Sequence, residues 1–95
     1  MAARATLALG LAHDHLGETD DAVRALTAAA GALHTTEAYS YEADARAALA
    51  DVLSRTGSGP DAVRPLLTRA LEVYEAYGSP RADAVRARLA ELGSG

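Results

Sequence analysis

The chain has 95 residues, enough for a single domain with a modest core, and it lacks cysteine, phenylalanine and tryptophan. The core must therefore consist mainly of alanine, leucine and valine, while disulfides, thiolate metal sites and thiol nucleophiles are excluded. The net charge is −4, which argues against a general nucleic-acid surface because such surfaces cluster positive charge.

Long apolar runs are missing from the sequence. No stretch approaches the roughly 18 apolar residues that a membrane-spanning helix needs. The opening "MAARATLALGLAHDH" lacks the apolar core and cleavage site of a signal peptide. We expect a cytoplasmic protein with no membrane partner. Lysine, asparagine, glutamine and isoleucine are also absent, which indicates GC-rich coding and a bacterial source.

Two helices are predicted in the first third of the chain, over residues 3–16 and 19–34. Apolar residues recur at helical spacing in both segments. Gly17 stands where a helix C-terminal cap is expected, and Thr19 or Asp20 suits the N-cap of the next helix. The pattern therefore favours a helical hairpin.

Three further helices are predicted over residues 37–55, 60–77 and 81–92. "GSGP" at 57–60 and "GSP" at 78–80 mark the breaks, and Pro60 and Pro80 suit the first turn of a helix. Pro65 lies inside the fourth helix. It predicts a kink or widened turn over residues 61–66, or else a helix that begins near Arg64 after a loop at 57–63.

No segment alternates with a period of two, so we predict an all-α fold. Short connections make neighbouring helices antiparallel. The expected architecture is one domain of two stacked antiparallel helical hairpins, over residues 3–34 and 36–78, followed by a capping helix over 80–92.

Two similar stretches, "HLGETDDAVRAL" and "RTGSGPDAVRPL", lie 40 residues apart. The first repeat resembles the tetratricopeptide repeat, with Leu9-Gly10 at its Leu-Gly pair, a turn at Gly17, and matching small and large apolar residues at Ala22, Leu26 and Ala29. The second repeat has Leu49-Ala50, Ala62 and Leu66, with Ala70 one residue late. Its length is similar to the long repeats of bacterial signalling regulators of the maltose-regulator and antibiotic-regulator type.

The resemblance implies a right-handed α-solenoid fragment in which Gly10 and Ala22 lie where the first two helices cross. It also implies a concave, partner-binding face made by the first and third helices. By position that face contains Arg4, Leu7, Leu11, Asp14, His15, Tyr41, Asp44, Asp51 and Arg55. The lysines and asparagines with which family members hold a peptide carboxylate are absent, so we do not expect a carboxylate clamp.

Candidate catalytic and metal-binding patterns are incomplete. His13 and His15 in "HDH" are two residues apart and point to different helix faces, whereas a helical zinc pair has a spacing of four. Asp20 and Asp21 are explained by a helix N-terminus. The sequence has neither a nucleophile elbow nor a phosphate-binding loop. We therefore predict no catalytic residues, no metal and no cofactor.

The remaining function is recognition through a surface. We predict a non-catalytic module that binds a protein or peptide and makes no direct contact with nucleic acid. The alternative is a structural fragment that forms a homodimer, because stable stacking normally needs three or more repeats.

Overall fold

The computed structural model describes residues 2–94, and the chain is all-α over this range, with no strand. It forms five helices, which we number α1 to α5 in chain order: Ala2–His15, Thr19–Thr35, Tyr39–Arg55, Pro60–Ala76 and Arg81–Ser94. The prediction of an all-α fold is confirmed, and each observed helix end lies within two residues of its predicted position. No helix in this part of the chain is long and apolar enough to cross a membrane.

The first four helices end in the same kind of turn. Each turn contains a residue in the left-handed region, namely Gly17, Glu37, Gly57 or Gly78. In the first turn the N–H of Gly17 donates to the carbonyl of Asp14 at 3.0 Å, and that of Glu18 donates to the carbonyl of His13 at 2.8 Å. These two bonds define a Schellman motif, and the other three turns have the same pair. The chain therefore reverses every 20 or 21 residues.

Each helix packs against the next one, and α1 also contacts α3. One core cluster joins α1, α2 and α3, and a second joins α3, α4 and α5. Helix α3 contributes residues to both clusters and is therefore the central element. Helix α5 closes the second cluster with Ala82 and Val85.

Gly10 marks the close crossing of α1 and α2. A Cβ atom at this position would lie 2.8 Å from Cγ and Cδ2 of Leu26, and 3.2 Å from its backbone nitrogen. Leu26 and Ala22 are fully buried. The predicted crossing at Gly10 is confirmed, because only a residue without a side chain fits there without displacing Leu26.

The register of the second repeat differs from the prediction. In α2 the buried positions include Ala22, Leu26 and Ala29, and the positions in α4 with the same spacing are Val63, Leu67 and Ala70. Ala62, predicted to match Ala22, is exposed. The identical "DAVR" letters are thus one residue out of structural register, and the B-type helices α2 and α4 are related by 41 residues.

The additional residue lies in the turn before α4. Helix α2 begins two residues after Gly17, whereas α4 begins three residues after Gly57. Helix α4 is α-helical without interruption from Pro60 to Ala76, so the predicted widened turn and the alternative loop over 57–63 are both wrong. The physical reason is that the loop absorbs the extra residue, and Pro65 lies on an exposed face of the helix.

Candidate functional site

A groove with a volume of about 780 Å³ runs between α1 and α3. We call it the α1–α3 groove. Helix α1 supplies five lining residues and α3 supplies four, and α4 and α5 add one each. The lining residues are Arg4, Ala5, Leu7, Ala8, Leu11, Tyr41, Asp44, Ala48, Asp51, Tyr74 and Arg81.

Six of the nine predicted surface residues line this groove: Arg4, Leu7, Leu11, Tyr41, Asp44 and Asp51. Asp14, His15 and Arg55 do not line it. The Arg55 guanidinium instead donates to the Asp14 carboxylate at 2.6 Å and ties the C-terminal ends of α1 and α3 together. His15 is exposed beyond that end of the groove lining.

The groove has an apolar floor. Leu7 is only 6% exposed and belongs to the first core cluster, so its position is fixed by packing against α2. Leu11, one helical turn later, is 46% exposed. Ala5, Ala8 and Ala48 complete the floor with small side chains. A partner's apolar side chains would therefore meet a surface whose position is set by the core beneath it.

Asp44 is held by two donors from later helices. The Tyr74 hydroxyl donates to Asp44 Oδ1 at 2.6 Å, and Arg81 Nη1 donates to the same oxygen at 2.5 Å. Burial, together with the bond to Asp44, raises the pKa of Tyr74 to about 12. Tyr74 is therefore a permanent donor at neutral pH, and the Asp44 side chain has a fixed orientation.

The other charged groups at the groove also have partners. The Arg4 guanidinium lies 4.4 Å from the centroid of the Tyr41 ring, a cation–π contact between α1 and α3. Asp51 forms an ion pair with Arg88 of α5. The lining side chains are thus aliphatic, aromatic or charged groups already in contact with one another, which suits binding by shape and apolar contact.

A buried carboxylate, Glu42, was missed by the sequence analysis. It is fully buried and accepts hydrogen bonds from Arg46 Nε at 2.6 Å and from Arg69 Nε and Nη2 at 3.2 and 3.3 Å. His34 Nδ1 lies 3.1 Å from Oε1. Burial acts to raise the pKa of Glu42, but the bonds from Arg69, Arg46 and His34 outweigh it and lower the pKa to about 2.

The Glu42 cluster connects three helices rather than forming part of the groove. His34 comes from the end of α2, Glu42 and Arg46 from α3, and Arg69 from α4. Because an unpaired buried carboxylate is costly, its donors fix how the three helices sit on one another. Its role in the site is indirect, since it positions α3.

The "HDH" histidines separate as predicted. His13 Nδ1 lies 2.7 Å from Glu18 Oε1, and a ligand atom of Asp21 lies within 4.8 Å of both. Asp21, however, pairs with Arg24, and Glu18 is exposed. His15 is not part of this group. Its members are engaged with one another or with arginine at the surface, so we assign no metal to it.

Comparison with protein-family models gave no match, and comparisons with curated proteins and with solved structures gave none either. The resemblance to tetratricopeptide repeats thus rests on the sequence positions named above. The functional argument for this chain consequently depends on its own geometry.

Proposed function

We propose that the chain is a non-catalytic protein-interaction module whose α1–α3 groove binds an apolar segment of a partner protein or peptide. The observation that carries the proposal is the half-exposed Leu11 above the anchored Leu7, in a groove of about 780 Å³. Pockets of this size with an apolar lining and a few placed polar groups are typical of binding sites. The tetratricopeptide resemblance and a role inside a cytoplasmic bacterial regulator belong to this proposal.

The charges around the groove support a protein partner. Arg4 and Arg81 are balanced by Asp44 and Asp51, so the rim offers no net positive charge for a nucleic acid or an anionic membrane. Rim charges of both signs would orient a bound segment, while the apolar floor would supply most of its affinity.

The pairing of the arginines favours recognition of side chains over capture of a terminal carboxylate. Arg81 already donates to Asp44, and Arg4 lies over the Tyr41 ring. A peptide carboxylate would have to displace these contacts, whereas apolar side chains need only cover Leu11 and the alanines beside it. The expected ligand is therefore an amphipathic helix or an extended segment with two or more apolar anchors.

Peptide selection tests the proposal without a known partner. A random peptide library displayed on phage is selected against the purified wild-type protein, and the enriched peptides are synthesised and titrated into three proteins. We expect Leu11→Asp to weaken binding about tenfold or more, because it places a charge on the apolar floor. Leu9→Asp is the matched control, since Leu9 is 53% exposed on the same helix and does not line the groove.

Two results would count against this function. Selection could enrich no peptide, or the enriched peptides could bind Leu11→Asp as tightly as wild type. In the second case the α1–α3 groove is not the recognition surface.

A further inference from the structure

A second apolar surface lies on α1 outside the floor of the groove. Leu9, Ala12 and Leu16 follow Ala5 at spacings of four, three and four residues, which places all four on one face of the helix. All four are exposed, Leu9 by 53% and Leu16 by 71%. We call this surface the outer face of α1. No helix within residues 2–94 buries it.

The repeat shows what covers the same face elsewhere in the molecule. The A-type helices α1 and α3 end 40 residues apart, at His15 and Arg55, and each is followed by a glycine-containing Schellman turn. Forty residues after Ala5, Leu9 and Ala12 come Ala45, Leu49 and Val52. These three are at most 5% exposed and belong to the core cluster that contains the buried face of α2.

The equivalence holds on another side of the same helices. Gly10 is buried against Leu26 of α2, the helix that follows α1. Its counterpart, Ala50, is fully buried in the cluster shared with α4, the helix that follows α3. The 40-residue correspondence is therefore structural as well as a match of letters. In α3 the helix before it covers the face that α1 leaves open.

We propose that the outer face of α1 is a docking surface for an α2-like amphipathic helix of a partner protein, packed on α1 as α2 packs on α3. The expected partner helix is rich in alanine, with leucines at helical spacing. In α2 the buried stripe is Ala22, Leu26, Ala29, Ala30 and Leu33. Small residues in such a stripe let the two helices approach closely, while the leucines supply most of the buried apolar area.

A second copy of the chain does not offer this helix in a free form. Its α2 lies between α1 and α3, and its α4 lies between α3 and α5. Within the described residues, the buried faces of both B-type helices are thus already occupied. Self-association would have to pair one outer face with another, a contact for which the fold contains no example.

The test uses a synthetic peptide with the α2 sequence, residues 19–35, acetylated, amidated and fluorescently labelled. A hydrocarbon staple replacing Arg24 and Ala28, both exposed in the folded chain, holds the peptide helical without touching its buried stripe. Stapling matters because an isolated helix of this length is marginal in water. The peptide is titrated with the full chain, and binding is followed by fluorescence anisotropy.

We expect the wild-type chain to bind the stapled peptide and Leu9→Asp to weaken binding about tenfold or more. Leu16→Asp should act in the same direction. Leu11→Asp should leave binding within about twofold, because Leu11 faces the groove. Leu9 belongs to neither core cluster, so the circular dichroism spectrum and melting temperature of Leu9→Asp should match those of wild type.

Three outcomes would overturn the proposal. The stapled peptide could fail to bind, or a scrambled stapled peptide of the same composition could bind equally well. Binding could also be unchanged in Leu9→Asp, which would indicate that the peptide replaces α2 in its own site. Finally, sedimentation could show a dimer that Leu9→Asp dissociates while the peptide stays unbound, and the occupant would then be a second copy. The Leu11→Asp result separates each of these outcomes from a failure of the groove.

Discussion

Leu26 occupies the space that a side chain at Gly10 would need, since a Cβ atom there would lie 2.8 Å from both its Cγ and its Cδ2. This contact sets the distance between α1 and α2. Leu7, three residues before Gly10 on α1, is packed in the same cluster and forms part of the groove floor. The position of the floor therefore depends on a helix crossing that only glycine permits.

Substitution of Gly10 should destabilise the fold. Leu26 is fully buried, so it has little room to move. We expect Gly10→Leu to lower the free energy of unfolding by about 1–3 kcal/mol through overpacking. Gly10→Ala should also destabilise despite the better helix propensity of alanine, because its single Cβ already meets Leu26. Urea unfolding followed by circular dichroism measures both changes.

Gly31→Ala is the matched control for Gly10→Ala. Gly31 is also inside a helix, but it is exposed, and a Cβ there would have no atom within 4 Å. The substitution should stabilise the chain by about 0.5–1 kcal/mol through helix propensity alone. If both alanine variants shift stability in the same direction and by the same amount, the crossing at Gly10 is looser than described.

Glu37 is expected to be a site of backbone strain. Its φ is 61°, in a turn where the three equivalent residues are glycine. We predict that Glu37→Gly raises the free energy of unfolding by about 0.5–1 kcal/mol, because relief of the left-handed strain exceeds the added freedom of the unfolded chain. Thermal melting checks this. Gly57→Ala is the reciprocal variant and should destabilise, since φ is +86° and no neighbouring atom limits the added Cβ. A lower melting temperature for Glu37→Gly would refute the strain argument.

Acid should weaken the fold through Glu42. Its pKa in the folded chain is about 2, against an ordinary value of 4.5, so the unfolded chain binds the proton more readily. The stabilisation is present above pH 4.5 and is lost as the pH falls from there towards 2. The full loss is on the order of 3 kcal/mol.

Comparison with Glu42→Gln isolates this effect from the other carboxylates. The variant should be less stable than wild type at pH 7, because Arg46 and Arg69 lose their charged partner. The difference in unfolding free energy between the two proteins should shrink between pH 4.5 and 2. A difference that stays constant over this range would mean that Glu42 does not titrate as described.

The helices and much of the groove could be predicted from the sequence. Apolar spacing and the Gly17 and Pro60 signals are local, and the observed helix ends follow them closely. Leu7 and Leu11 were placed in the groove because they share a face of one helix. The second repeat was misaligned because the identical "DAVR" letters were followed instead of the apolar spacing of Val63 and Leu67.

The remaining features depend on contacts between distant parts of the chain. Tyr74 and Arg81 enter the groove lining from later helices, 30 and 37 residues beyond the Asp44 to which they donate. Glu42 has the sequence context of a solvated helix residue, and its burial becomes visible only when Arg69 is brought over it. No periodicity within one helix predicts such contacts.

The most direct test of the groove is amide mapping by two-dimensional NMR, with the labelled chain titrated with a peptide selected on the wild-type protein. We predict that the largest shift changes fall on the groove residues of α1 and α3, centred on Ala8, Leu11 and Ala48. The contrasting surface is the smaller cavity between α3 and α4, lined by residues that include Tyr39 and Tyr77. Shift changes confined to that cavity, with Leu11 and its neighbours unmoved, would contradict the assignment of the α1–α3 groove as the partner-binding surface.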